Sequence, residues 1–332
     1  MNMAQKKVKG LGLCSGGLDS TLAALVLREQ GIGVSWIAFE TPFFSADKAR
    51  KASINNEIPI IVKNITERYM PMLKNPPCGY GKNMNPCMDC HALMFRIAGE
   101  MLEETESDFL FSGEVMGQRP MSQNKNSLRY VEKNSGFDGY ILRPLSAKVL
   151  PETQMEREGL VDREGLCGLS GRSRKPQMEL AEKFGVRDYP SPAGGCLLTD
   201  EGYSKRLKDL FEHQENIETV EMDLLSYGRH LRLDENIKII VGRNKKDNEN
   251  LMCLYRQDHD VLLKMKSFPG PVVLIPNGAG SDGVQQAASI CAGYSKVPKN
   301  ESVEVCVIRP EGQKEIIVTP KPNSEVQDLL IP

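Results

Sequence analysis

Two sets of residues have types and spacings that could do chemistry. The first lies in LCSGGLDSTLAALVLREQG, residues 13–31, where Ser15, Gly16, Gly17, Asp19 and Ser20 fall between an apolar run and the helical spacing of Leu22, Leu25, Val26 and Leu27. Glycines let an anion reach backbone N–H groups, and the positive end of a helix favours it there. The two serine hydroxyls can donate to phosphate oxygens, while Asp19 is acceptor-only and suited to Mg²⁺. A Walker A loop would need a Lys after the glycines, and a dinucleotide fingerprint a third Gly; neither is present. The second set is Cys87 and Cys90 in NPCMDCHALMF, with Cys196 in YPSPAGGCLLT. Asn85 as N-cap and Pro86 in the first turn put Cys87 and Cys90 one turn apart on one helix face. The helix end there should favour thiolates, which suits metal ligation or sulfur transfer. Pro-Ala-Gly-Gly before Cys196 predicts a tight turn that points its thiol at the helix end. Three cysteines are one ligand short of a closed zinc site, whereas on an iron–sulfur cubane they leave one iron open.

Elements to position these residues are legible in the pattern. Strands are expected at Val8–Leu13, Val34–Phe39, Ile58–Val62 and within 108–114, with a helix over Pro86–Glu104 and a charged helix near 200–215. Strand–helix alternation predicts an α/β parallel sheet with helices on both faces and ligands at the carboxyl ends of the strands. Ala38 and Phe39, at such an end, are therefore placed with the loop in the nucleotide site. From about Arg229 the texture changes to short β-rich runs, NIKIIVG, PVVLIP, VEVCVI and KEIIVTP, predicting a smaller α+β domain. The expected division is a catalytic domain over 1–217, a linker over 218–228 and a second domain over 229–332.

Composition bounds the function. The 332 residues suffice for roughly two domains of about 150 residues each, and a net charge of −2 confines any nucleic-acid contact to local patches. No apolar run reaches the roughly 18 residues of a membrane span, and AQKKVK leads directly into a core strand, so a cytoplasmic protein without a membrane partner is expected. Its nine cysteines should then stay reduced. Cys14, Cys253, Cys291 and Cys306 read as packing residues. Cys78 and Cys167 could be a further ligand, a sulfur carrier or exposed loop residues, and His91 should point away from Cys90.

SGGLDS resembles the S-G-G-x-D-S signature of the PP-loop ATP pyrophosphatases. NPCMDCHALMF looks like the NPC-x-x-C-N helix of tRNA 2-thiouridylases, and SGEVMGQRPMSQ, residues 112–123, is similar to the G-E-x-x-G-Q-x-x-S-Q stretch of tRNA 4-thiouridine synthetases. These matches span roughly residues 8–200. The resemblance implies a PP-loop, HUP-like fold and a tRNA sulfurtransferase that uses ATP and Mg²⁺ to adenylate a uridine carbonyl oxygen, then replaces AMP by sulfur. It further implies that Cys87, Cys90 and Cys196 hold a 4Fe-4S cluster, and that Gly113, Glu114 and Gln118 line the nucleotide or target-base pocket. Asp19, Cys90 and Cys196 would be the catalytic residues. No THUMP, ferredoxin-like or rhodanese region is legible, so sulfide or a persulfide carrier would supply the sulfur. In a cluster-free alternative, Cys90 and Cys196 act as a persulfide and disulfide pair, and Cys87 is dispensable. A PP-loop enzyme of small-molecule sulfur metabolism is a further alternative.

In the last third, KIIVGRNKKDNENL, PGPVVLIP and AASICAGYSKV resemble, in order, the motifs of the NFACT-type RNA-binding domain. Arg243 and Lys245, with Asn244 and Asn248 one helical turn apart, are the candidate RNA contacts. Arg172, Arg174 and Lys175 in SGRSRKPQ form a second candidate patch.

Overall fold

The computed structural model describes residues 7–191, 195–298 and 301–332, and the chain divides into two compact units, Met1–Thr199 and Asp200–Pro332. In the first unit the alternation of apolar runs and helical patterns becomes β1 (Lys9–Leu13), α1 (Leu18–Glu29), β2 (Gly33–Glu40), α2 (Asp47–Asn56), β3 (Ile60–Asn64), α3 (Thr66–Lys74), α4 (Cys87–Glu100), β4 (Phe109–Ser112), α5 (Lys125–Ser135), β5 (Ile141–Leu142), α6 (Gln154–Arg157) and α7 (Lys175–Lys183). The five strands make one parallel sheet in the order β3-β2-β1-β4-β5. Leu13 pairs with Ile37 on one side and Ser112 on the other, so the loops after β1, β2 and β4 leave from one edge. That edge is where a parallel sheet binds ligands.

Trp36, Phe109 and Phe111 are fully buried with Leu18, Leu22 and Val26 of α1, Ala49 of α2 and Ala181 of α7. At about 1.5–3 kcal/mol for each large apolar side chain, this packing fixes the sheet against α1 and hence fixes the loop between them. β3 begins two residues later than expected. Ile58 is buried but belongs to the turn into the strand, and the ladder to β2 starts at Trp36 opposite Ile60.

The second unit consists of α8 (Glu201–His213), α9 (Thr219–Leu224), β6 (Arg229–Arg232), β7 (Lys238–Val241), α10 (Lys245–Cys253), β8 (Val261–Met265), β9 (Val272–Ile275), α11 (Ser281–Gly293), β10 (Val303–Arg309), β11 (Gly312–Val318) and β12 (Leu330–Ile331). Its seven-stranded antiparallel sheet has the order β11-β10-β8-β9-β7-β6-β12. Period-two alternation divides its two faces. Leu263, Val273 and Ile275 pack on Val284, Ala288 and Cys291 of α11, while Leu262 and Leu274 pack with Leu251 of α10.

The expected linker at 218–228 falls inside this second unit. It contains α9, whose Met222 carbonyl accepts from the Tyr203 hydroxyl of α8 at 3.0 Å. Asp209 of α8 in turn accepts from Arg232 and Lys238 at 2.6–3.0 Å, which ties α8 to the sheet. Cys291 and Cys306 are buried as expected, but Cys253 is exposed, because α10 turns it away from the face that buries Leu251. Among the described residues no helix is long and apolar enough to cross a membrane.

Candidate functional site

The stretch after β1 folds as a tight turn into α1. Gly16 has φ +73°, and a Cβ there would lie 2.2 Å from the Lys48 backbone carbon, so conformation and space both require glycine. Gly17 is the N-cap residue of α1. Cys14, buried at the end of β1, accepts from the Gly16 N–H at 3.3 Å, and burial pushes its thiol up to about 11. It is a neutral strap for the loop, as a packing residue should be. The Ser20 hydroxyl donates to the Gly17 carbonyl at 2.8 Å and is spent on the turn, contrary to the expectation that it serves phosphate. Ser15 is exposed at the mouth.

Asp19 occupies the first turn of α1. Its Oδ2 accepts from Gln118 Nε2 at 3.0 Å, and the buried Oδ1 has no hydrogen-bond donor, with Arg174 Nη2 at 3.6 Å. A Cβ on Gly113 would lie 2.3 Å from the Asp19 carbonyl carbon, so this glycine lets the β4 exit press against the loop. Gln177, buried on α7, donates to Gln118 Oε1 at 3.4 Å and steadies it from behind.

A cavity of about 760 Å³ opens over this edge, within the size range of small-molecule sites. It is lined by Ser15, Gly17, Asp19 and Ser20, by Ala38 and Phe39 at the end of β2, and by Ser112, Gly113, Glu114 and Gln118 after β4. Cys87, Cys90 and Cys196 line it as well, as do Arg172 and Arg174. Residues far apart in the chain thus meet in one place. Cys78 and Cys167 are outside the lining among the described residues, and the turn expected at Pro192–Gly194 before Cys196 lies outside the described residues.

The cysteine helix differs from expectation in two respects. Its N-cap residue is Pro86, and Asn85 instead donates to Cys87 Sγ at 3.2 Å. The Cys90 thiol is not activated by the helix end. Burial, then the neighbouring Cys196, raises the Cys90 pKa despite a hydrogen bond from the buried Tyr69 hydroxyl, and burial pushes Cys196 up to about 11. Loss of hydration outweighs the partial charge of one helix terminus. Among the described residues no group of three or more His, Cys, Asp or Glu is arranged to hold a single metal ion. No pattern in the sequence pointed to Tyr69, nor to Asp89, which is buried between the two cysteines and accepts from Tyr130 at 2.7 Å and the Cys78 N–H at 2.9 Å.

His91 lines the same cavity, with its Nδ1 2.9 Å from Glu114 Oε1. Glu114 is buried and also accepts from Arg143 Nε at 2.9 Å and from Ser112 at 3.1 Å, while Arg143 reaches Glu132 as well. Burial alone would raise the Glu114 pKa, but the Arg143 charge and His91 outweigh it and hold the carboxyl at about 2. This depressed pKa contributes stability that is full above the unfolded value near 4.3 and is lost as pH falls through 2. Arg143→Met is therefore expected to cost about 3–5 kcal/mol at neutral pH and to remove part of the stability loss between pH 4 and 2, as read by urea melts across that range.

In the second unit the candidate RNA residues are partly engaged by the fold. Asn244 caps α10 by accepting from the Asp247 N–H at 2.9 Å, and Asn248 Oδ1 accepts from the Val272 N–H at 3.0 Å. Arg243 is paired with Asp247 at 2.6 Å, and Lys245 is exposed, 3.7 Å from Glu249. Lys175, in the first unit, is exposed beside Glu179.

Comparison with known proteins agrees with this division. Residues 5–149 match the family model described as thiamine biosynthesis protein (ThiI), and residues 228–329 match that of the NFACT protein RNA binding domain. Cys87 and Cys90 lie within the first match; Cys196 and the 172–175 segment lie beyond it. Solved structures similar to this chain include the C-terminal part of the fibronectin/fibrinogen-binding protein of Streptococcus suis, at 17% identity over 80% of this chain and 96% of that one, with TM-score 0.29. A protein described as a predicted subunit of tRNA methyltransferase from Methanocaldococcus jannaschii is 15% identical over 53% and 76%, with TM-score 0.34. NMN synthetase from Francisella tularensis is 13% identical over 66% and 83%, also with TM-score 0.34. The chain thus joins a PP-loop ATP pyrophosphatase domain of the ThiI kind to an NFACT-type RNA-binding domain.

Proposed function

We propose that this protein is an ATP-dependent tRNA sulfurtransferase of the cytoplasm that converts a uridine to a thiouridine. The observation that carries the reading is the single cavity in which the Asp19 loop faces Cys87, Cys90 and Cys196. An ammonia-using ligase would need the first set and not the second. The loop of Ser15, Gly16, Gly17 and Ser20 receives the pyrophosphate end of ATP on backbone N–H groups, with Ala38 and Phe39 beside the nucleoside and Gly113, Glu114 and Gln118 as the opposite wall. A uridine carbonyl oxygen attacks the α-phosphorus and pyrophosphate leaves; sulfide then displaces AMP, or the outer sulfur of a persulfide does so and a second thiol attacks the inner sulfur, releasing the thiouridine and leaving a disulfide. Enclosure matters, because water would return the activated base to uridine.

This chemistry implies two groups. Mg²⁺ fits the donor chemistry: Asp19 Oδ1 is a buried carboxylate oxygen that, among the described residues, has no hydrogen-bond donor and only the Arg174 guanidinium nearby at 3.6 Å. A 4Fe-4S cluster fits the donor chemistry, since three thiols share one cavity and repel one another when ionised, and cluster ligands bind separate irons without converging on one ion. Cys87, Cys90 and Cys196 would hold it, and it would offer one iron free of protein ligands for sulfur delivery. A cluster-free reading has its own support, because Cys90 and Cys196 line one cavity and are near enough to influence each other, as a persulfide and its resolving thiol must be.

Arg172 and Arg174 border the cavity and Lys175 lies just outside its lining, where tRNA phosphates would reach them, and Arg243, Lys245 and their neighbours serve the second unit's RNA contact with Asn244 and Asn248 as its scaffold. Nucleoside mass spectrometry of tRNA from a deletion strain is expected to reveal the loss of one thiouridine, restored by the wild-type gene. An unchanged thionucleoside profile would reject tRNA as the substrate and favour a small-molecule sulfur enzyme.

A further inference from the structure

Gln123 has a role that the nucleotide loop and the cysteines leave unassigned. It is buried and lines the cavity, and among the described residues its Oε1, shielded from solvent, has no hydrogen-bond donor. Its backbone is clamped, with N–H donating to the Arg119 carbonyl at 2.8 Å and C=O accepting from the Gly117 N–H at 2.7 Å. The side chain is therefore set on a rigid tight loop, and that same loop carries Gln118 to Asp19. A buried acceptor without a donor destabilises a fold, so its retention at a cavity wall points to a ligand that brings an N–H.

We infer that the Gln123 amide reads the imide edge of a flipped-out uracil. The edge presents N3–H between two carbonyls. Gln123 Oε1 accepts from N3–H, while Nε2 donates to one flanking carbonyl, and the other carbonyl is left free to face the α-phosphate of ATP. A two-point contact sets which oxygen reacts. This inference rests on the sulfurtransferase reading for its substrate, and on Gln123 alone for its recognition.

The test uses the full-length protein and the variants Gln123→Leu and Gln123→Glu. In single-turnover thiolation of bulk tRNA from the deletion strain, Gln123→Leu is expected to lower kcat/KM for tRNA by about 10- to 100-fold. Binding of a non-hydrolysable ATP analogue should stay within twofold, and the melting temperature should hold or rise, because the unpaired acceptor is gone. Saturation-transfer NMR with the analogue bound should detect uridine but not 3-methyluridine on the wild type, with the uridine signal lost in Gln123→Leu. Gln123→Glu, which keeps an acceptor but repels the carbonyl, should fall between the two. Weakened binding of the ATP analogue would assign Gln123 to adenine and overturn the inference, as would equal binding of uridine and 3-methyluridine or no binding of either. If the wild type binds uridine selectively but makes no thiouridine, the sulfurtransferase reading fails and the recognition stands; if it thiolates and Gln123→Leu thiolates equally well, the reverse holds.

Discussion

Asp19→Ala is expected to lower tRNA-dependent pyrophosphate release by about 10³-fold while leaving the fold intact. The carboxylate places one oxygen on Gln118 and leaves the other buried at the cavity wall, 3.6 Å from Arg174. Asp19 would help hold a divalent ion, which would supply several kcal/mol of stabilisation to the charge developing on phosphate, and each 1.36 kcal/mol is tenfold in rate. Asp19→Asn keeps the shape and a hydrogen-bonding group but removes the charge, so it should lose nearly as much. The assay is single-turnover release from labelled ATP, with melting temperature as control. Retention of more than a tenth of wild-type rate by both variants would remove this loop from ATP activation.

Cys90→Ser is expected to abolish thionucleoside formation, at least 10³-fold, with pyrophosphate release retained within several-fold. Cys90 lines the same cavity as Asp19, is hydrogen-bonded to Tyr69 and lies near Cys196, and among the described residues no hydrogen bond joins it to Asp19, whose Oδ2 is held by Gln118. Serine has nearly the same size, so the buried site should tolerate it at about 1 kcal/mol. Cys87→Ser then separates the two sulfur chemistries. If a cluster operates, anaerobically purified Cys87→Ser loses both iron and thiolation; if Cys90 and Cys196 work as a thiol pair, thiolation survives. Both activities falling together in Cys90→Ser would mean that the cysteine helix supports ATP binding and is not a separate sulfur-handling half.

Much of the first unit was legible because its signals are local. The SGGLDS turn lies between an apolar strand and an amphipathic helix, and the strand–helix alternation leaves a parallel sheet as the economical solution, which the five-stranded order realises. Local signals misled where burial competes with them. The helix terminus at Cys87 was expected to favour thiolates, but desolvation of Cys90 and Cys196 dominates. Ser20 was read as a phosphate donor and Asn244 as an RNA contact; the Ser20 hydroxyl donates within its own turn, and the Asn244 side-chain oxygen accepts from the Asp247 N–H at the start of α10. That Glu114, 23 residues later, holds His91 at the cavity was not legible from the spacing of His91 and Cys90.

What the sequence determined by itself was the chemistry available: a loop able to bind phosphate, a carboxylate able to bind a cation, and three thiols outside any zinc pattern. Each follows from residue type and short spacing, which backbone geometry converts directly into local structure. Only the tertiary structure decided which of these share a cavity and which atoms in it lack partners. Such facts depend on loops separated by a hundred residues and on desolvation summed over many neighbours. Asp19 Oδ1 and Gln123 Oε1, which have no hydrogen-bond donor among the described residues, are the two clearest cases, since a hydrogen bond that is missing can be recognised only when the surrounding atoms are in place.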